Sequence, residues 1–117
     1  MSERGSALYL NDIVDSARAI RSYVEGVDFE SFASDRMRCS AVVREFEIIG
    51  EAVGNLPESL KARYPDIPWR EIKDFRNLLI HEYFGVDLPI VWDTIQHELA
   101  PLLRAAEELL LAQDDPG

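Results

Sequence analysis

Apolar residues recur every three or four positions along almost the whole chain, which is the period of a helix that buries one face. Leu10, Ile13, Val14, Ala17, Ile20 and Val24 trace the face of a first helix. Gly26 is its predicted stop, because glycine accepts the left-handed conformation of a helix C-cap. Asp28 is then placed to cap a short turn carrying Phe29 and Phe32. The spacing predicts a second long helix from about Ser34 to Asn55, with a main stripe of Cys39, Val42, Phe46, Ile49, Val53 and Leu56. A second stripe of Met37, Ala41, Ile48 and Ala52 predicts burial on two sides. Gly50 and Gly54 weaken that helix by about 1 kcal/mol each against alanine, and they leave room for the close approach of a neighbour.

Pro57 suits the first turn of a short helix over Glu58–Arg63. Tyr64-Pro65-Asp66-Ile67-Pro68 breaks the pattern, since each proline holds its predecessor out of the helical region. A third main helix is predicted from about Pro68 to His81 or Tyr83, with Trp69, Ile72, Phe75 and Leu79 inward and Gly85 ending it. Asp87 caps a last helix whose stripe runs through Leu88, Val91, Trp92, Ile95, Leu99, Leu102, Ala106 and Leu109. Pro101 removes the bond to the carbonyl of His97, so a kink or two shorter helices are expected there. No stretch has the alternation of a β-strand, and there is no repeat. The expected fold is all-α: an antiparallel four-helix bundle with an extra short helix and a Pro-kinked C-terminal helix. One domain covers 1–117, with a frayed tail over 112–117.

Composition fits this picture. Leu, Ile, Val and Phe supply 35 of 117 residues, well above the level of disordered chains. No apolar run approaches the length of a membrane span, and Met1-Ser2-Glu3-Arg4-Gly5 lacks a signal-peptide core. The single cysteine, Cys39, excludes an internal disulfide and lies on an apolar stripe, where it reads as a core filler. A cytoplasmic domain held by packing, with no membrane association, is the expectation.

Charge changes the picture more. Twelve basic residues stand against twenty-two acidic ones, a net −10, which disfavours non-specific coating of DNA. Yet residues 36–76 hold eight of the twelve basic residues and only seven acids, so this stretch is +1 and the remainder −11. A local anion site in the middle of the chain is compatible with that gradient, as is simple solvation of helix surfaces.

Most catalytic templates are absent: there is no glycine-rich phosphate loop, no Gly-x-Ser-x-Gly and no cysteine pair for zinc. His81 and His97 are sixteen residues apart on different predicted helices, so neither a metal site nor a cofactor is expected. What stands out is Arg76-Asn77-Leu78-Leu79-Ile80-His81-Glu82-Tyr83. Arg76 and His81 lie about 140° apart around one straight helix. They act on one ligand if the helix unwinds near His81, or if two copies of the segment meet across a twofold axis. These residue types suit phosphodiester cleavage without a metal. Arginine offers a fork of donors to a phosphate whose charge grows in the transition state. Histidine takes a proton from a ribose 2′-hydroxyl or gives one to the leaving oxygen. Asparagine orients either group, and tyrosine stacks on a base or bonds a phosphate. The alternative is structural: Arg76 paired with Asp74 or Glu82, His81 capping carbonyls, Tyr83 half-buried.

The segment from Pro68-Trp69-Arg70-Glu71-Ile72 through Arg76-Asn77-Leu78-Leu79-Ile80-His81-Glu82-Tyr83-Phe84-Gly85-Val86-Asp87 resembles the HepT-like branch of the HEPN superfamily. Ile48-Ile49-Gly50-Glu51-Ala52 upstream and Val91-Trp92-Asp93-Thr94-Ile95 downstream extend the resemblance, which covers roughly residues 7–111. It implies a HEPN-like bundle that forms a homodimer, acting as a ribonuclease toxin of a toxin–antitoxin pair. The implied antitoxin is an MntA-type nucleotidyltransferase, which uses ATP to place AMP on the motif tyrosine. By position, Arg76 and His81 are the catalytic pair, Asn77 the supporting polar residue and Tyr83 the modified one. AMP beside Arg76 would exclude RNA phosphate by charge and bulk. Arg44, Glu47 and Glu51 are further candidates to line the cleft. A non-catalytic module that docks the nucleotidyltransferase or a nucleotide is the alternative, and a purely structural dimeric bundle the third.

Overall fold

The computed structural model describes the backbone of residues 2–81 and 87–114, and the side chains of 5–75 and 87–112. Its described residues form seven helices and no strand: α1 (Ser2–Val24), α2 (Phe29–Ser34), α3 (Arg36–Asn55), α4 (Glu58–Lys61), α5 (Trp69–His81), α6 (Leu88–His97) and α7 (Leu99–Asp114). The helical bundle expected from periodicity is present. α3 sits at the centre, packed on α1 on one side and α5 on the other, and α7 closes the far side of α1.

The inward stripes are those the spacing predicted. Leu10, Ile13, Val14, Ala17 and Ile20 of α1 are buried, as are Val42, Phe46, Ile49, Val53 and Leu56 on the α3 stripe. Val91, Ile95, Leu99, Leu102, Ala106 and Leu109 complete the core from α6 and α7. α2 buries Phe32 fully, and the rings of Phe29 and Phe32 pack on Trp92 with centroids 6.0 and 5.2 Å away. That aromatic cluster ties the α1–α3 connection to α6.

The connections obey local chemistry. Gly26, at φ +72°, takes the left-handed turn that ends α1. Asp28 caps α2, its carboxylate accepting from the backbone N–H of Ser31 at 2.8 Å. Asp35 serves two helices. Its backbone N–H donates to Phe32 O at the end of α2, and its side chain accepts from the N–H of Arg38 at 3.0 Å, capping α3. Arg38 in turn donates to the carbonyl of Tyr23 at 2.6 Å and pairs with Asp35 at 2.7 Å. One arginine thereby joins the end of α1 to the start of α3.

Four expectations are adjusted. α3 starts at Arg36 and not near Ser34, because Asp35 is its cap. The second stripe is incomplete: Ala52 is buried, Ala41 and Ile48 are half-buried, and Met37 is 82% exposed. Pro57 is the N-cap of α4, one position before its first turn, and α4 stops at Lys61. Gly54 is exposed, and a Cβ there would meet only the aliphatic stem of Lys73, at 3.5 Å, so no helix backbone approaches closely. The Pro101 break takes the two-helix form: α6 ends at His97, Glu98 forms the turn and α7 begins at Leu99. Asp87 caps α6 by accepting from Ile90 N–H, with Pro89 in the first turn. Gly85 and residues 115–117 lie outside the described residues.

Candidate active site

α5 carries the motif, and its first half is firmly seated. Two carbonyls before it, Lys61 O at the end of α4 and Tyr64 O in the following loop, accept from the Trp69 indole N–H at 3.0 Å. Ile72 is buried, and Phe75 meets Phe46 of α3 edge to face at 5.2 Å. These contacts fix the rotation of α5 against α3. The helix continues through Arg76, Asn77 and His81 without a break. Helical geometry over that span keeps Arg76 and His81 about 140° apart in angle and about 7.5 Å apart along the axis. The side chains of Arg76, Asn77 and His81 lie outside the described residues, as does Tyr83 altogether.

Arg44, Glu47 and Glu51 are brought together. With Tyr9 and Asp12 of α1 they line an open groove of about 340 Å³ between α1 and α3. Three carboxylates and one guanidinium make that groove acidic. Glu51 also holds Asn55, whose side-chain amide donates to its backbone carbonyl at 2.8 Å. His97 stands apart on α6, exposed, with Nδ1 2.9 Å from Asp93 Oδ1. Among the described residues no three metal-ligating side chains gather. Cys39 is half-buried, its thiol donating to the carbonyl of Phe32 at 3.0 Å, and burial pushes its pKa up. Such a thiol is a poor nucleophile, in keeping with a packing role.

Two features were not singled out from the sequence. An apolar cleft of about 360 Å³ lies between α5 and the α6–α7 corner, floored by Phe46, Ile72, Phe75 and Leu102 and rimmed by Glu71 and Asp93. A second groove, of about 510 Å³, is lined by Glu58, Lys61, Ala62, Trp69, Arg70 and Lys73 beside α4. The available signal for the latter was the i,i+3 pair Arg70 and Lys73 directly after Pro68-Trp69.

No described helix is long and apolar enough to cross a membrane. Comparison with known proteins identifies the family. The pattern of the Ribonuclease HepT-like family matches residues 13–109. A protein of Caldanaerobacter subterraneus subsp. tengcongensis named "Putative RNase" is 42% identical over 102 residues, 87% of this chain and 91% of the relative. The "Probable ribonuclease HepT" of Thermococcus cleftensis is 41% identical over 101 residues, covering 86% and 92%. A "Putative RNase" of Methanocaldococcus jannaschii is 34% identical over 110 residues, covering 94% and 91%. No solved structure matches the chain significantly. With 97 consecutive residues matched by the family pattern and relatives aligned over nearly their full length, the chain belongs to the Ribonuclease HepT-like family.

Proposed function

We propose that this protein is a metal-independent endoribonuclease, with Arg76 and His81 as its catalytic residues and a second copy of the chain completing the site. The observation that carries the reading is Arg76-Asn77-…-His81 on the last turns of one unbroken helix in a chain of this family. In the proposed reaction the ribose 2′-oxygen attacks the adjacent phosphorus and the 5′-oxygen leaves, giving a 2′,3′-cyclic phosphate and a 5′-hydroxyl. His81 takes the 2′-proton or supplies one to the leaving oxygen. Arg76 binds the charge that grows on the phosphoryl oxygens, and Asn77 orients the groups. The angular separation of Arg76 and His81 on α5 supports a twofold dimer, in which the arginine of one copy reaches the histidine of the other.

Regulation follows the same chemistry. The Tyr83 oxygen attacks the α-phosphorus of ATP on a nucleotidyltransferase partner, pyrophosphate leaves, and the AMP added beside Arg76 shuts out RNA. The pair then works as toxin and antitoxin in the cytoplasm. The net charge of −10 favours one competing reading, a bundle that docks the nucleotidyltransferase without cutting RNA. Intact mass and RNA cleavage, measured before and after incubation with that partner and ATP, separate the two. Cleavage lost as added AMP mass appears, with no labelling of Tyr83→Phe, is the expected result. Labelling of a protein that never cuts RNA would replace it with the docking module.

A further inference from the structure

The groove beside α4 holds positive charge that no described carboxylate fully pairs. Lys61 is spoken for: its ammonium is 3.2 Å from Glu58 and donates to the carbonyl of Val53 at 3.3 Å, with only 11% of the side chain exposed. Arg70 and Lys73 are different. Both are exposed, and among the described residues neither makes an ion pair. Asp74 lies four residues after Arg70, the spacing at which helical ion pairs form, yet the two do not meet within 4 Å. The Lys73 stem lies along α3 at Gly54, where no side chain displaces it. The Trp69 ring, pinned by its N–H to two carbonyls, forms a fixed half-buried wall of the groove.

Two exposed cations with no ion pair among the described residues, beside an immobilised aromatic ring, are the elements of a single-stranded nucleic-acid site, where phosphates meet cations and a base meets a ring face. They are unexpected as surface decoration on a chain of net charge −10. Their place on α5 gives them a direction. Arg70, Lys73, Asn77 and His81 follow one another at spacings of three, four and four, so these positions share one strip of the helix. Arg70 lies about 9 Å along the axis from Arg76 and about 16 Å from His81, a span that a few nucleotides of extended strand cover. We infer that Arg70 and Lys73, with Trp69 as the wall, form a phosphate-binding subsite that holds the RNA strand to one side of the bond to be cut. The inference rests on the ribonuclease reading for its choice of ligand.

The test measures binding apart from cleavage. Fluorescence anisotropy with a labelled, uncleavable 2′-O-methyl single strand of about twelve nucleotides, over a salt series, gives the slope of log affinity against log salt. Loss of two phosphate contacts on a single strand lowers that slope by about 1.4. Arg70→Gln/Lys73→Gln is expected to show that drop, and to raise KM for a cleavable RNA. Arg21→Gln/Arg104→Gln removes the same charge from exposed sites on α1 and α7, and is expected to keep the wild-type slope. Circular dichroism melting checks that both variants fold. An unchanged slope in the first variant, equal drops in both variants, or no binding by the wild type overturns the subsite. Binding with the expected drop by a protein that cuts no natural RNA leaves the subsite standing and removes the ribonuclease reading. Cleavage by a wild type whose slope is indifferent to Arg70 and Lys73 removes the subsite alone.

Discussion

Asp35 stands where two helices exchange direction, and three of its polar groups are used there. Its N–H closes α2, one carboxylate oxygen caps α3, and the other holds Arg38, which reaches back to α1. Asp35→Ala removes the cap and frees Arg38. It should destabilise the fold by about 1–2 kcal/mol, read as a lower denaturant midpoint at constant m-value. Asp28 gives a pH test. The Ser31 backbone N–H that it accepts, with the Ser31 side chain second, holds its carboxyl below the usual range. Its contribution to stability is therefore full above the unfolded pKa of about 3.9 and is lost as pH falls through the lower folded value. Asparagine also caps but does not titrate there. Thermal melts from pH 2 to 5 should show a shallower acid loss for Asp28→Asn than for the wild type. The Asp28 cap was legible as a residue type before a helix, whereas the predicted start near Ser34 put Asp35 inside α3. The double duty of Asp35 was not legible, because the partner on α1, the Tyr23 carbonyl, is a backbone atom that no sequence pattern marks.

At the scale of elements, Gly54 lies in the last turn of α3 with ordinary helical geometry, and a Cβ there would touch the Lys73 stem at van der Waals distance, 3.5 Å. Gly54→Ala should stabilise the protein by about 0.5–1 kcal/mol, raising Tm by several degrees at this chain length. A fall in Tm would mean that the Lys73 stem cannot give way. The helices themselves were legible because a stripe every 3.6 residues is both a local signal and a packing requirement. Met37 marks where that signal ends. Periodicity fixes the angle of a residue around the axis of α3, but not whether a neighbouring helix extends far enough along the axis to cover it. At the first turn of α3 none covers Met37. The Pro101 break was legible to the residue, since a missing donor has a defined address, the carbonyl four positions earlier.

The whole molecule sets a fold built for packing against a site proposed to take anions. Among the described residues its core draws on α1, α3, α6 and α7, joined by Phe32 of α2, Leu60 of α4 and Ile72 of α5. α5 packs on α3 through Ile72 and Phe75, and its outer positions include Arg70 and Lys73. This division explains what the sequence disclosed about the site. Arg76, Asn77, His81 and Tyr83 are visible as an unusual cluster in the sequence, but helical geometry sets Arg76 and His81 about 140° apart on α5, and the second molecule proposed to join them is not something one chain displays. The groove at Trp69 was hidden for another reason: Arg70 and Lys73 look like ordinary surface charge until the described residues around them are seen to form no ion pair with them.

The central claim is that Arg76 and His81 together cut RNA. The most direct measurement is cleavage of a defined single-stranded RNA by the wild type, Arg76→Ala and His81→Ala, with chelator present and the product ends identified by mass. Wild-type cleavage to 2′,3′-cyclic phosphate ends is expected, with a loss of about 100-fold or more in each variant. Cleavage that survives both substitutions undiminished, or that stops when chelator is added, would contradict the claim.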